Sequence, residues 1–324
     1  MRLGLWVGLL AVVLAAHAAP AGALSSAQLL ARYEPISVLH PEEWFPPIAV
    51  DGFLQAAQLQ QQAAGAWTPV TPTPASLPTA DPAGCTTTSA AVCWRLHDPR
   101  CSASAGLASI ACFTGIQASE QPRSAVYGAV HRSGDRIALQ YWYWYADDFW
   151  SGQYPFTDYV WQSHEGDWEV VTVVLTKAEQ PLFTAYSQHS CGKRRAWARV
   201  PKLQTHPLVY VALGTHANYY SAGRQPIDLR PQCYPALGAT LLRAYFPGGV
   251  FDETGRGRQV RPPITVVTAA SPQWMQFPGT WGEANFFHGP DPVGTRVAGL
   301  APLGPAFHDL WSRPIATPLG WPQG

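Results

Sequence analysis

Apolar residues along this chain come in short blocks broken by glycine, proline or charged residues, and within the blocks they alternate or run solid instead of recurring at helical spacing. That pattern predicts strands. The longest example covers 126–131, turns at Ser133-Gly134-Asp135, and returns through Arg136-Ile-Ala-Leu-Gln-Tyr-Trp-Tyr-Trp-Tyr145, the layout of a hairpin. Every position from 141 to 145 is aromatic, which predicts a central strand covered on both faces. A carbohydrate-stacking platform is the sharper alternative for the same run. Further strands are expected at 36–39, 170–175, 182–188, 207–213 and 263–267, and helical character at Ser26–Tyr33, with Ser26 as cap, and at 55–65. Apolar strands between Gly/Pro turns, without βαβ alternation, predict a mainly β fold: an antiparallel β-sandwich with short peripheral helices and a disulfide-stapled insertion.

Composition sharpens this picture. Charged residues make up 13% of the 324, aromatics 12%, and there are 31 prolines, which suits a loop-rich chain of short strands better than a helical bundle. The reading is one domain interrupted once: residues 24–54 and 121–324 form the core, and 55–120 hold a Pro/Thr-rich linker and a Cys-rich insertion. Net charge is zero, and Lys193-Arg194-Arg195 is the only compact basic cluster, expected as a solvated loop, so a nucleic-acid partner is excluded. Residues 1–23, with Arg2, an apolar run and then small residues, have the layout of a secretory signal peptide. No later stretch approaches the roughly 18 apolar residues of a spanning helix, and the mature protein is expected to be secreted. Six cysteines fit an oxidising compartment, none at C-x-x-C spacing. Near-neighbour pairing would join Cys85 to Cys93, Cys101 to Cys112 and Cys191 to Cys233.

The candidate chemistry gathers at Ser163-His164-Glu165-Gly166-Asp167-Trp168-Glu169. Gly166 allows a tight turn, and the motif is expected to be a loop entering a buried strand. On that strand Asp167 and Glu169 share a face roughly 7 Å apart, with Trp168 and Val170 opposite. Two such carboxylates repel unless something positive lies between them, and a divalent cation is the simplest candidate; arginine partners or a solvated strand end are the bland reading. Asp147 and Asp148 are expected to end the neighbouring strand, while His189 and His216 follow the ends of two others. Together with His164 these side chains form a set with metal-ligand chemistry, and its oxygen-rich character favours calcium or magnesium over zinc. His40 and Glu42 lie in a proline-rich turn and read as structural. A zinc protease of the H-E-x-x-H kind is excluded because Gly166-Asp167-Trp168 follows His164-Glu165, and no G-x-S-x-G elbow is present.

Tyr33-Glu-Pro-Ile, His40-Pro-Glu-Glu-Trp-Phe-Pro, Leu139-Gln-Tyr-Trp-Tyr-Trp-Tyr, Glu165-Gly-Asp-Trp-Glu, Tyr210-Val-Ala-Leu-Gly-Thr-His-Ala-Asn-Tyr and Gly279-Thr-Trp-Gly-Glu, in that order, resemble the vacuolar protein sorting-associated sixty-two-like family over 33–54 and 124–311. Its biochemical role is not established. The same region is similar to the necrosis- and ethylene-inducing-like proteins, secreted cytolysins with the signature Gly-His-Arg-His-Asp-Trp-Glu after a Trp-Tyr strand. The chain keeps His164, Asp167, Trp168 and Glu169 of that signature and departs from it at Ser163 and Gly166. This second resemblance implies a β-sandwich core and a divalent cation used for docking on membrane sphingolipids, with Asp147 or Asp148 as the upstream acidic ligand and His189 or His216 as the later histidine. Three functions are therefore on the table: a cation-binding module for a lipid head group or glycan; a metal-assisted hydrolase of an ester or phosphoester, with His189 or His216 moving protons; and a structural or interaction protein without a metal.

Overall fold

The computed structural model describes residues 23–63, 66–71, 76–82, 93–103, 107–154, 157–233, 236–283, 286–287 and 301–324. The expected 1–23 leader and Cys85 fall almost wholly outside these residues, and with Cys85 goes the Cys85–Cys93 pairing. Cys101–Cys112 and Cys191–Cys233 are bonded as near-neighbour pairing predicts.

A long hairpin, Arg136–Tyr154 and Thr157–Thr176, forms the spine. It lies at the centre of a seven-stranded sheet flanked by Val126–Ser133 on one side and Pro181–Gln188 and Cys191–Ala196 on the other. The sequence reading had one strand over 136–145, ended by Ala146-Asp147-Asp148, and the next over about 168–175, entered by a loop at the motif. Both strands instead run on, so the Ser163–Glu169 motif lies inside a strand. Lys193, Arg194 and Arg195 likewise sit in the edge strand Cys191–Ala196 and not in a loop.

Strict alternation splits the hairpin's side chains between two cores. Tyr141, Tyr143, Tyr145, Val171, Val173 and Leu175 pack against the helix Ser26–Tyr33 and against Val209 and Val211 of a second sheet. Trp142, Trp144, Trp168 and Val170 face the other way, against Trp274, Phe277 and Trp281, and against Leu59 and Leu96 of a four-stranded sheet. The aromatic run is thus covered on both faces, as its composition requires, and the fold is a mainly β sandwich with short helices around it. Trp281 has no exposed surface and touches the rings of Phe53, Trp144, Trp168, Trp274 and Phe277. Truncating it leaves a cavity among these rigid rings, so Trp281→Ala is expected to cost about 3 to 5 kcal/mol in urea unfolding.

Several local readings are corrected. The helix expected over 55–65 reaches only to Ala56: the helix Asp51–Ala56 stops and the strand Gln58–Ala63 pairs with Trp94–His97, because strand pairing buries Leu59 against Leu96. The first helix is capped by Ser25, one residue earlier than expected, in a capping box with Gln28. In the closing segment Trp311 is buried while Phe307 is exposed.

Candidate functional site

The hairpin register pairs Tyr145 with Asp167, Asp147 with Glu165 and Asp148 with His164; Ala146 and Gly166, opposite each other between these pairs, form no ladder pair. Gly166 has φ +67°, and an added Cβ would lie 2.2 Å from the Trp144 ring and 2.3 Å from the Trp281 carbonyl oxygen. Only glycine fits this close, left-handed position. The kink breaks the period of two, with a direct chemical result: neighbouring carboxylates turn to different partners.

Asp148, Asp167 and His216 offer ligand atoms that all lie within 4.8 Å of one another, and all three residues are buried. His216 Nδ1 is 3.2 Å from Asp167 Oδ2, its Nε2 is 3.6 Å from Glu43 Oε1, and its ring stacks on Tyr145 at 3.8 Å and 5°. Burial opposes a charge on His216, but Glu43 first and then Asp167 outweigh it and raise its pKa to about 10. His216 as an imidazolium therefore supplies the positive charge that the acidic cluster demands. Asp148 is pushed up to about 6 by burial, with His164 pulling it back and Asp167 adding to the rise. Glu43, whose Oε2 also accepts from the Gly214 amide at 2.7 Å, was missed in the sequence; its neighbours His40 and Glu42 drew attention but bond to each other in a local turn.

His164 Nδ1 faces the Gly166 carbonyl oxygen at 2.6 Å, and because a carbonyl only accepts, Nδ1 carries the proton. In the neutral ring this leaves the Nε2 lone pair 3.6 Å from Asp148 Oδ1, the tautomer a metal ligand requires. His189 Nε2 donates to Asp252 Oδ2 at 2.8 Å, and Asp252 also accepts from Tyr219 and Thr215 hydroxyls. No periodic pattern marks Asp252 in the sequence. His189 and His216 both adopt φ +54°, a region non-glycine residues enter at a cost, and such strain concentrates at functional positions.

The remaining expected ligands have hydrogen-bond partners of their own. Glu169 is bonded to Ser187 Oγ and to Asn218 Nδ2. Asp147 accepts from Ser109 Oγ of the insertion helix Leu107–Glu120, and burial raises its pKa well above the ordinary value. Glu165 faces the insertion too, accepting from His97 Nδ1 at 2.7 Å and from the Asp98 and Glu283 amides at 2.5 and 2.9 Å. The donors that do converge, two carboxylates and an imidazole, fit one divalent cation. The buried Asn218 Oδ1, Tyr145 hydroxyl and His216 Nε2 lack a hydrogen-bond partner nearby, so polar capacity at the site is left to be satisfied.

No family model matches the chain. Over 168 residues it is 27% identical to vacuolar protein sorting-associated protein 62 of Saccharomyces cerevisiae, and over 166 residues 27% identical to the TDA6 protein of the same yeast; each match covers 43% of this chain. The chain spans about a third of the length of these curated relatives. Among solved structures it is similar to "Toxin fold for microbial attack and plant defense" (15% identity, 74% of this chain and 72% of that one, TM-score 0.31). It is also similar to "NLPPya in complex with glucosamine" (13% identity, 75% and 73%, TM-score 0.33). Both resemblances read from the motifs thus reappear, one in sequence and one in structure.

Proposed function

We propose that the protein is a secreted β-sandwich that binds one divalent cation through Asp148, Asp167 and His216 and uses it to recognise an oxygen-rich ligand, a glycan or a lipid head group. The convergence of those three buried donors carries this reading. His164 is the nearest further ligand, Glu43 and Asp252 orient His216 and His189, and Glu169 acts through Ser187 and Asn218. The two carboxylates suit the calcium or magnesium expected from the sequence, whereas the imidazole moves the preference towards an ion such as zinc.

Two observations favour an external ligand. The side chains of Asp148, Asp167, His164 and His189 keep 10 to 16% of their surface open, whereas His216 and Glu43 have none, so an ion held here has one accessible side. Trp44, half exposed, stacks on Phe149 at 5.6 Å, next in sequence to Glu43 and Asp148 respectively, and offers a flat apolar surface beside the polar one. The Asp252–His189 hydrogen bond supports a second reading, since a carboxylate-oriented histidine beside a cation is also the layout of a general base in hydrolysis.

A single experiment separates the readings. Cation-loaded protein is incubated with phospholipid and glycolipid vesicles, with insoluble glycans and with chromogenic esters and phosphodiesters, with and without chelator. Cation-dependent pelleting without turnover is the expected outcome. Turnover abolished by chelator and by His189→Ala would move the assignment to the hydrolase, and neither pelleting nor turnover would contradict both.

A further inference from the structure

The Pro/Thr-rich stretch 66–82 takes no part in the cation site. It reads Ala-Trp-Thr-Pro-Val-Thr-Pro-Thr-Pro-Ala-Ser-Leu-Pro-Thr-Ala-Asp-Pro, with no glycine and with Asp81 as its sole charge. Proline lacks an amide hydrogen and holds the residue before it in extended backbone, which fits a surface run and not a buried ladder. Apart from Asp81, the hydrophilic side chains of the stretch are all threonine or serine.

The structure sorts these side chains into two sets. Trp67, Val70 and Leu77 anchor the stretch: the Arg95 guanidinium lies 4.7 Å from the centre of the Trp67 ring, and Val70 and Leu77 pack against the tryptophan-rich core. The Val70 amide donates to the Leu59 carbonyl oxygen at 2.9 Å, and Trp94 Nε1 donates to that of Ala80 at 3.0 Å. Thr68, Thr71, Ser76 and Thr79, by contrast, are all exposed. Among the described residues none of their hydroxyls is held in a hydrogen bond. Anchored backbone therefore presents four free hydroxyls to solvent.

Thr68 also lies on the strand Ala66–Pro69, the edge of the four-stranded sheet, which pairs with Gln58–Ala63. Bare edges are templates for pairing with other chains, and proteins blunt them with charge, proline or a cover. This one has Pro69, no charge, and at Thr68 a hydroxyl on which a cover can be built. Serine and threonine beside proline on exposed, extended backbone is the composition of O-glycosylated stalks. We propose that Thr68, Thr71, Ser76 and Thr79 are acceptors for O-linked sugar, a neutral hexose or N-acetylhexosamine. The co-reactant is a sugar activated as a nucleotide diphosphate or polyprenyl phosphate ester, handled by a glycosyltransferase of the producing cell. The hydroxyl oxygen attacks the anomeric carbon, the bond from that carbon to the phosphate oxygen breaks, and the phosphate leaves with the hydroxyl proton. The sugar hydrates an otherwise almost uncharged stretch and covers the sheet edge. This inference rests on the secretion reading above, because such transfer accompanies export.

The test is mass spectrometry of the full chain recovered from the medium of the cells that produce it, with sites mapped on the 66–82 peptide by electron-transfer fragmentation. Whole hexose or N-acetylhexosamine increments on the four residues, removed by mild alkali, are the expected result. A variant combining Thr68→Val, Thr71→Val, Ser76→Ala and Thr79→Val keeps side-chain size, and its secreted form is expected to lose the sugar on this peptide. Secreted wild type bare at all four positions, phosphate there instead of sugar, or unchanged sugar on the peptide of the variant would each overturn the proposal alone. Wild type retained in the cytosol would overturn the secretion reading and this proposal with it. Site mapping on the wild type needs no variant, so a variant that fails to fold leaves the test intact.

Discussion

Asp148→Asn is expected to stabilise the cation-free protein while removing its cation binding. Burial, reinforced by Asp167, raises the Asp148 carboxyl to about 6, whereas in the unfolded chain it titrates near 3.9. The sign follows from linkage. Below about pH 4 the group is protonated in both states and contributes no penalty. As pH rises through 6 the folded state must ionise a buried carboxyl, and above that the full cost is present, on the order of 1 to 3 kcal/mol after the loss of the His164 contact is set against it. Asparagine removes the ionisation, so its melting temperature in chelator should exceed the wild type's at pH 7.5 and converge with it near pH 4. A lower melting temperature at pH 7.5 would mean that Asp148 is a structural ion-pair partner, and the cation reading would lose its rationale.

Gly166→Ala is expected to cost more than about 3 kcal/mol in urea unfolding. Three penalties combine: the left-handed backbone, the 2.2 Å approach to the Trp144 ring and the 2.3 Å approach to the Trp281 carbonyl oxygen. Trp144 and Trp281 are themselves fully buried among other indoles, so neither can withdraw. Material that still folds should also bind cations poorly, because Asp167 follows the displaced residue. A loss below about 1 kcal/mol would show that the kink at Ala146 and Gly166 is not what aims the neighbouring carboxylates.

The strands were legible because period-two alternation survives in the amino-acid order: Asp167 and Glu169 do share a face, Trp168 does face away, and the 141–145 run is buried on both sides. The site was legible only in part, for identifiable reasons. Alternation carried past a left-handed residue fails, and reading through Gly166 could not tell that Asp148 and not Asp147 turns towards Asp167. Glu43 lies more than 120 residues away from Asp167, and only tertiary packing brings its carboxylate to His216. Asp252 lies 63 residues from His189, and the short strand Phe251–Thr254 that carries it gives no chemical signal of its own. The 55–65 stretch misled because glutamine and alanine favour helix locally, while burial of Leu59 and pairing with Trp94–His97 decided for strand.

The most direct test of the cation site is calorimetric titration of magnesium, calcium, manganese and zinc into the metal-stripped protein, beside a folded Asp148→Asn/Asp167→Asn variant. Saturable binding of one ion per chain by the wild type, lost in the double variant and accompanied by proton release from His216, is the predicted result. No binding by the wild type, or equal binding by the double variant, would contradict the site.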